Sequence, residues 1–202
     1  VVINASGIQS GEVSGFTIAY MGTSSHTTFL VSNSMLTISN NVITGAILSG
    51  MEIKNDSNPQ VLNNEIKGNG NAGIFLHSGA RATISGNTIQ SNGIIGIAIQ
   101  ASFPTIKNNV IKNNSQSGFL IYGQSGGTIS GNIISDNRYY GMEVRDDSDT
   151  EITYNTIVGN NNHGIWAYDG SAPDIRNNII VKNIGYGIDA DGHDPVSYTH
   201  LT

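Results

Sequence analysis

A phrase of the form Asn-x-Ile recurs along the chain at an almost constant distance, and no other feature restricts the fold as much. Its Asn falls at Asn41, Asn64, Asn87, Asn109, Asn132, Asn155 and Asn178, in steps of 23, 23, 22, 23, 23 and 23 residues. Two residues further stands an isoleucine each time, from Ile43 to Ile180. A second series follows at Asn69, Asn92, Asn114, Asn137, Asn160 and Asn183, and four residues on from each comes a glycine, as at Gly73, Gly96 and Gly118. Two apolar residues then flank one variable residue, as in Ile97-Ala98-Ile99 or Ile165-Trp166-Ala167. A fixed period of this length signals stacked repeats, none of which can bury its apolar face alone.

Each unit holds short stretches of period 2 separated by Gly, Asn, Ser and Asp, and none holds a helix-length pattern of period 3.6. The chain of 202 residues has 25 Gly and 25 Asn, and both types favour corners and suit helix interiors poorly. A unit is therefore two or three short strands joined by tight corners. If each unit is one coil, like residues superpose at the strand spacing of about 4.8 Å. The expected fold is all-β: a right-handed parallel β-helix of about seven regular coils of 22–23 residues, with a degenerate coil before them. A leucine-rich repeat has a similar period, but it places Asn after a Leu-x-Leu strand and often adds a helix.

The asparagine has a physical reason in such a stack. Corners leave backbone groups that the sheet ladders do not fully pair. An Asn amide is short, tolerates left-handed backbone, and both donates and accepts. Superposed amides can bond one another or a corner carbonyl. Asp would stack like charges, and Leu would leave corner groups unmet at about 1–3 kcal/mol each. The glycine column suits positive φ or a close approach.

Net charge is −6, with no Lys/Arg cluster, which argues against nucleic acid as a partner. No run of about 18 apolar residues offers a membrane span. Zero Cys excludes disulfides and thiolate metal sites.

The repeat phrase, with Ser-x-Pro before several units (Pro59, Pro104, Pro173), resembles the right-handed parallel β-helix repeats of the pectin-lyase-like superfamily. The resemblance runs from about Val13 to Asp194. It implies an extracellular, cell-surface or periplasmic protein. It leaves activity open, since the superfamily holds polysaccharide lyases, glycoside hydrolases, epimerases and adhesins. Residues 1–194 are read as one β-helix domain, a piece of a longer protein, acting as a monomer or as part of a multidomain chain. In the first coil, Val13, Phe16 and Ile18 stand where Ile, Asn and Ile stand later. The end, Val-Ser-Tyr-Thr-His-Leu-Thr from Val196, breaks the pattern and resembles a translated sequencing adapter. Residues 195–202 are therefore expected to be a non-native tail, leaving the Asn178 coil with open sheet edges.

Inward columns serve packing, so function is sought in outward columns and turns. The strand after the glycine offers two outward columns: Glu52, Phe75, Ala98, Leu120, Glu143, Trp166, Asp189, and Lys54, His77, Gln100, Tyr122, Arg145, Tyr168, Asp191. Chemistry gathers in the later coils, where Glu143, Arg145, Trp166, Tyr168, Asp189 and Asp191 share one face. Asp146, Asp147 and Asp169 follow in the turns; Tyr139, Tyr140 and His163 precede the strands. Aromatics flanked by carboxylates and Arg suit a sugar, whose ring packs on an apolar face while polar groups fix its hydroxyls. Trp166, Tyr168, Tyr122, Tyr140, His163 and Asp191 are the candidate carbohydrate contacts, and polysaccharide is the expected partner. An enzyme remains the second class, with Glu143, Arg145, Asp146, Asp169 and Asp189 as candidate catalytic groups. Asp146 with Asp169, or Glu143 with Asp189, could flank a glycosidic bond. The superfamily's lyases imply Ca²⁺, and Asp146, Asp147, Asp169 and Asp191 could hold one. Its epimerases imply a His, Tyr and Asp cluster, which the run Asp189 to Pro195 resembles in part. A plain stalk or adhesion spacer is the third class.

Overall fold

A computed structural model describes residues 1–190 and the backbone of one further strand, Ser197–Thr199. One coil represents the rest. Its strands are Thr83–Ser85, Thr88–Gln90 and Ile97–Gln100. Each pairs in parallel with the same strand of the coils on either side. Ile84 faces Val61 and Ile106, Ile89 faces Ile66 and Ile111, and Ile97 faces Ile74 and Phe119. Repetition builds three parallel sheets: a first of nine strands that includes Ile97–Gln100, a second of nine that includes Thr83–Ser85, and a third of eight that includes Thr88–Gln90. The molecule is a right-handed parallel β-helix with three strands per coil and no helix among the described residues, so the leucine-rich alternative falls away.

The core is a shaft of stacked aliphatics. Met51, Ile74, Ile97, Phe119 and Met142 line one wall, Ile84, Ile106 and Ile129 a second, and Ile66, Ile89 and Ile111 the third, all at most 1% exposed. Because strands alternate in and out with period 2, the strands of the second and third sheets bury their middle residue, whereas those of the first sheet bury the two residues on either side of an outward one.

Each of the three corners carries its own ladder of polar side chains. Between the second and third sheets runs the first asparagine series. Asn109 Nδ2 donates to Asn132 Oδ1 at 3.0 Å, to Ile84 O at 2.9 Å and to Lys107 O at 3.0 Å. Its Oδ1 accepts from the Asn87 backbone N–H at 2.8 Å and from Asn87 Nδ2 at 2.9 Å. The amide thus meets its full capacity while only 1% exposed. Between the third and first sheets the second series does the same, as where Asn114 Nδ2 donates to Asn137 Oδ1 at 2.9 Å. The third corner holds buried serines that the sequence reading passed over. Ser102 N–H donates to Ser125 Oγ at 3.3 Å, and Ser125 N–H to Ser148 Oγ at 3.1 Å. These are the serines of Ser-x-Pro and of its variants.

The ladders also end as the pattern suggests. Val13 faces Ile38 and Ile18 faces Ile43. Phe16, in the asparagine position, gives only its backbone N–H to Asn41 Oδ1 at 3.0 Å, and its ring is 59% exposed. Of the two reasons considered for the glycine column, close approach is the one that operates. A Cβ on Gly96 would meet Ile111 Cγ2 at 2.5 Å and Gly118 O at 2.6 Å. At the far end Ile179–Val181 and Ile188–Ala190 are the outermost described strands of their sheets, while Asp174–Arg176 pairs with Ser197–Thr199. One of the three edges expected to be open is therefore covered. Asp191 and the remainder of the expected tail lie outside the described residues.

Removing one rung should cost far more than removing one surface amide. Asn109→Ala strands the Asn87 N–H and the Ile84 carbonyl in a dry corner at about 1–3 kcal/mol each. Urea unfolding should show a clear drop in midpoint, and an unchanged midpoint would mean the ladder is not needed.

Candidate functional site

The first sheet presents the functional face. The turn entering each of its strands stacks on the turn of the coil before, through Asn71 N–H to Leu48 O at 3.0 Å, Ile94 N–H to Asn71 O at 2.9 Å, Gln116 N–H to Ile94 O at 2.8 Å and Tyr139 N–H to Gln116 O at 3.0 Å. These turns form a wall beside the sheet. Sheet and wall enclose a groove of about 300 Å³, floored by Phe75, Ala98 and Leu120, walled by Ala72, Ile94 and Ile95, and ending on Tyr122, Glu143 and Arg145.

Beyond that end lies an aromatic cluster. Tyr140, His163 and Tyr186 hold the same turn position in successive coils, so their rings superpose. Tyr140 and His163 lie 5.6 Å apart at 7°, and His163 and Tyr186 5.3 Å apart at 3°. Trp166 stacks on Tyr168 at 3.9 Å, because the two point outward from one strand, and its ring lies 4.8 Å from that of Tyr140. Sheet face and wall therefore meet through Tyr140 and Trp166. Tyr139 lies 6.2 Å from Tyr140 and is 49% exposed. Tyr186 was not among the sequence candidates. Its spacing of 23 from His163 was the available signal.

Polar groups knit the same face. Tyr168 donates its hydroxyl to Glu143 Oε1 at 2.8 Å. Partial burial, then that bond and the Glu143 charge, push the phenol far above its ordinary range. Burial also raises Tyr140, helped by the charges of Glu143 and Asp189. It raises Tyr122 too, against the opposing charge of Arg145. All three shifts favour the protonated phenol, the form that can donate a hydrogen bond. Arg145 lies 3.7 Å from Glu143 Oε1 through Nε and 3.6 Å from Asp146 Oδ2 through Nη1, with its guanidinium 5.1 Å from the Tyr122 ring centre. Its Nε is buried and has no hydrogen-bond partner. The guanidinium is held at the end of the groove by two carboxylates and the Tyr122 ring.

His163 is pinned rather than free. Its Nδ1 accepts the Tyr186 backbone N–H at 2.8 Å, which assigns the proton of the neutral ring to Nε2, 3.4 Å from Asp189 Oδ2. His77, four coils away, is engaged as well. Its Nε2 lies 3.0 Å from Glu52 Oε1, which Lys54 Nζ also meets at 2.9 Å, and its ring stacks on Phe75 at 4.7 Å. Burial opposes ionisation of Glu52, but these two bonds outweigh it, and the carboxyl titrates below its ordinary range. Both histidines are thus engaged by carboxylates and neighbouring rings. This first-half cluster was overlooked because its members occur in different coils and look unremarkable singly.

The carboxylate pairs separate on inspection. Glu143 and Asp189 flank Trp166 in register, but one is bound to Tyr168 and the other lies beside His163. Asp146, Asp147 and Asp169 occupy the corner after the strand with φ of 56°, 54° and 58°. Asn55, Asp56, Ser78 and Gly79 take the equivalent places with positive φ. Short polar residues and glycine tolerate that backbone, so the corner accounts for these aspartates on conformational grounds. No three His, Asp or Glu side chains converge on a cation-sized site among the described residues. The corner aspartates thus do not fit Ca²⁺ by themselves, and Asp191 is outside the described residues.

Stacked coils, a walled groove and an aromatic face define a β-helix protein. The family described as right handed beta helix region matches residues 1–145 and 104–200, and the chain belongs to it. Among solved structures it is similar to the A-module of a mannuronan C-5 epimerase from Azotobacter vinelandii, with 24% identity and a TM-score of 0.70, covering 84% of this chain and 52% of that one. A periplasmic alginate epimerase gives 17% identity and a TM-score of 0.71, covering 94% and 51%. A pectate lyase gives 13% and 0.57, covering 84% and 55%. The chain thus spans about half the length of these structures, and at such identities the likeness is one of fold. No curated protein matches the chain by sequence. No helix among the described residues is long and apolar enough to cross a membrane.

Glu143→Gln should bring Tyr168 part of the way back, because the carboxylate contribution disappears while burial stays. Ultraviolet titration of the phenols should then show one tyrosine ionising at lower pH than in the native protein. Identical curves would remove the Tyr168–Glu143 bond from the account.

Proposed function

We propose that this chain is a secreted, surface or periplasmic module that binds an acidic polysaccharide along the first sheet. The observation that carries the reading is the junction of Tyr140, Trp166 and Tyr168 with Arg145, which Glu143 links to Tyr168. The aromatic faces suit pyranose rings, and the guanidinium suits a uronate carboxylate, which it can meet with two parallel bonds. Protonated Tyr140 and Tyr122 add hydroxyl donors, and Asp191 would extend the second column. A groove along the helix axis also matches a linear polymer better than a compact ligand. Three solved neighbours are described as two epimerases, one of mannuronan and one of alginate, and a pectate lyase, which supports the same ligand class.

A second reading, catalysis on uronate polymers, draws on one observation: His163 and Asp189 sit as a pair beside Tyr140. His163 would have to change proton partners before acting as a base, since Nδ1 is occupied and Nε2 carries the proton. Glu143, Arg145, Asp146 and Asp169 remain proposed participants, and Ca²⁺ a proposed requirement of the lyase variant alone.

Affinity electrophoresis in alginate and pectate gels should retard the protein, and Trp166→Ala should weaken binding at least tenfold, as losing a central aromatic anchor does. Equal mobility of both proteins in every polymer would end the binding reading. Absorbance of unsaturated uronate products with and without Ca²⁺, together with proton NMR of the polymer for epimerisation, tests catalysis. No change in either would remove it.

A further inference from the structure

The groove floor has a depression that the sugar-binding cluster does not use. In the first outward column Ala98 stands between Phe75 in one neighbouring coil and Leu120 in the other. A small residue between two large ones, each about 4.8 Å away along the stack, leaves a pit. Ile94 and Ile95 close its side, and Ala72, Ile95 and Ala98 form a small apolar cluster of their own, with Phe75, Ile94 and Leu120 packed around it. The polar lining residues are Ser49, Asn71 and Gln116, with Tyr122, Glu143 and Arg145 at the end of the groove. A bare sugar hydroxyl lowered into the pit would lose water and gain no partner, which is unfavourable. A methyl group would gain from the same move.

We infer that the Ala98 pit receives a small ester substituent on the polymer, an O-acetyl group or a uronate methyl ester, and so sets a preference for esterified chains. This rests on the polysaccharide reading above and deepens it. The continuity is direct, because the groove that contains the pit ends on Tyr122, Glu143 and Arg145. Arg145 takes a free carboxylate while the pit takes the methyl of a neighbouring unit. The preferred polymer is thus partly esterified, carrying both charge and methyl groups.

The test compares matched polymers on the native protein: O-acetylated alginate, methyl-esterified pectin, and each after mild saponification. Burying one methyl is expected to favour the esterified form by roughly fourfold, the affinity equivalent of a single buried CH₂. The O-acetyl and methyl-ester arms tell which of the two groups the pit takes. Ala98→Leu fills the pit and should bring the ratio of esterified to saponified affinity to about one, whatever it does to the overall affinity; circular dichroism checks that it folds. If the native protein binds saponified and esterified polymers equally, the inference is overturned and polysaccharide binding stands. A preference that persists undiminished in folded Ala98→Leu also overturns it. Binding to none of the four polymers defeats the inference together with the reading it rests on.

Discussion

Each coil of this protein depends on a hydrogen bond it cannot make alone. At nearly every corner an Asn or Ser donates to or accepts from the residue one turn away, with Ala80 the gap in the serine ladder, and all of them up to Asn178 are buried. The bond demands that successive coils have nearly the same length, since one slipped residue would turn a corner amide away from its partner. The step of 22 residues between Asn87 and Asn109 shows the tolerance. Its deletion falls in the strand-to-corner segment near Ala101, and both asparagine ladders pass through it unbroken. Aliphatic packing supplies most of the driving force in such a stack, but it is non-directional. The ladders fix the register.

That division leaves the outside of each strand without a packing duty. Where the inward residue must be Ile, Val, Met or Phe, its outward neighbours vary from Glu to Trp. Function can therefore be written on the first sheet with little cost to the fold. The wall of stacked turns converts the flat face into a groove, and aromatic residues repeated at one turn position become a continuous ring stack. Tyr140 joins the two systems, which places aromatic faces, protonated phenols and the Arg145 guanidinium together.

Legibility in the sequence followed from how local each feature is. The columns of Trp166, Tyr168, Glu143 and Arg145 could be assigned to one face because period 2 within a strand and period 23 between coils fix direction. The aspartates at 146, 147 and 169 were read as chemistry, yet their positive φ gives them a conformational reason that residue identity alone conceals. The Ser ladder was written at the same spacing as the asparagines but masked by its Ser-x-Pro setting. The Glu52–Lys54–His77 cluster joins residues two apart in one strand with one in the next coil, a pairing visible only when both columns are laid side by side.

The sequence by itself determined the coil. Columns of identical residues can be satisfied together only if every unit adopts the same path, so period, strand direction, inward core and polar corners were all present in the spacing. What the tertiary structure alone decided is which outward groups meet. Whether Tyr140 reaches Trp166, whether His163 spends Nδ1 on Tyr186, and whether a wall of Ile94 and Ile95 turns Ala98 into a pit depend on the bend of each corner and the rotamer of each side chain. No periodicity encodes those distances, because spacing fixes which residues become neighbours but not how their side chains turn.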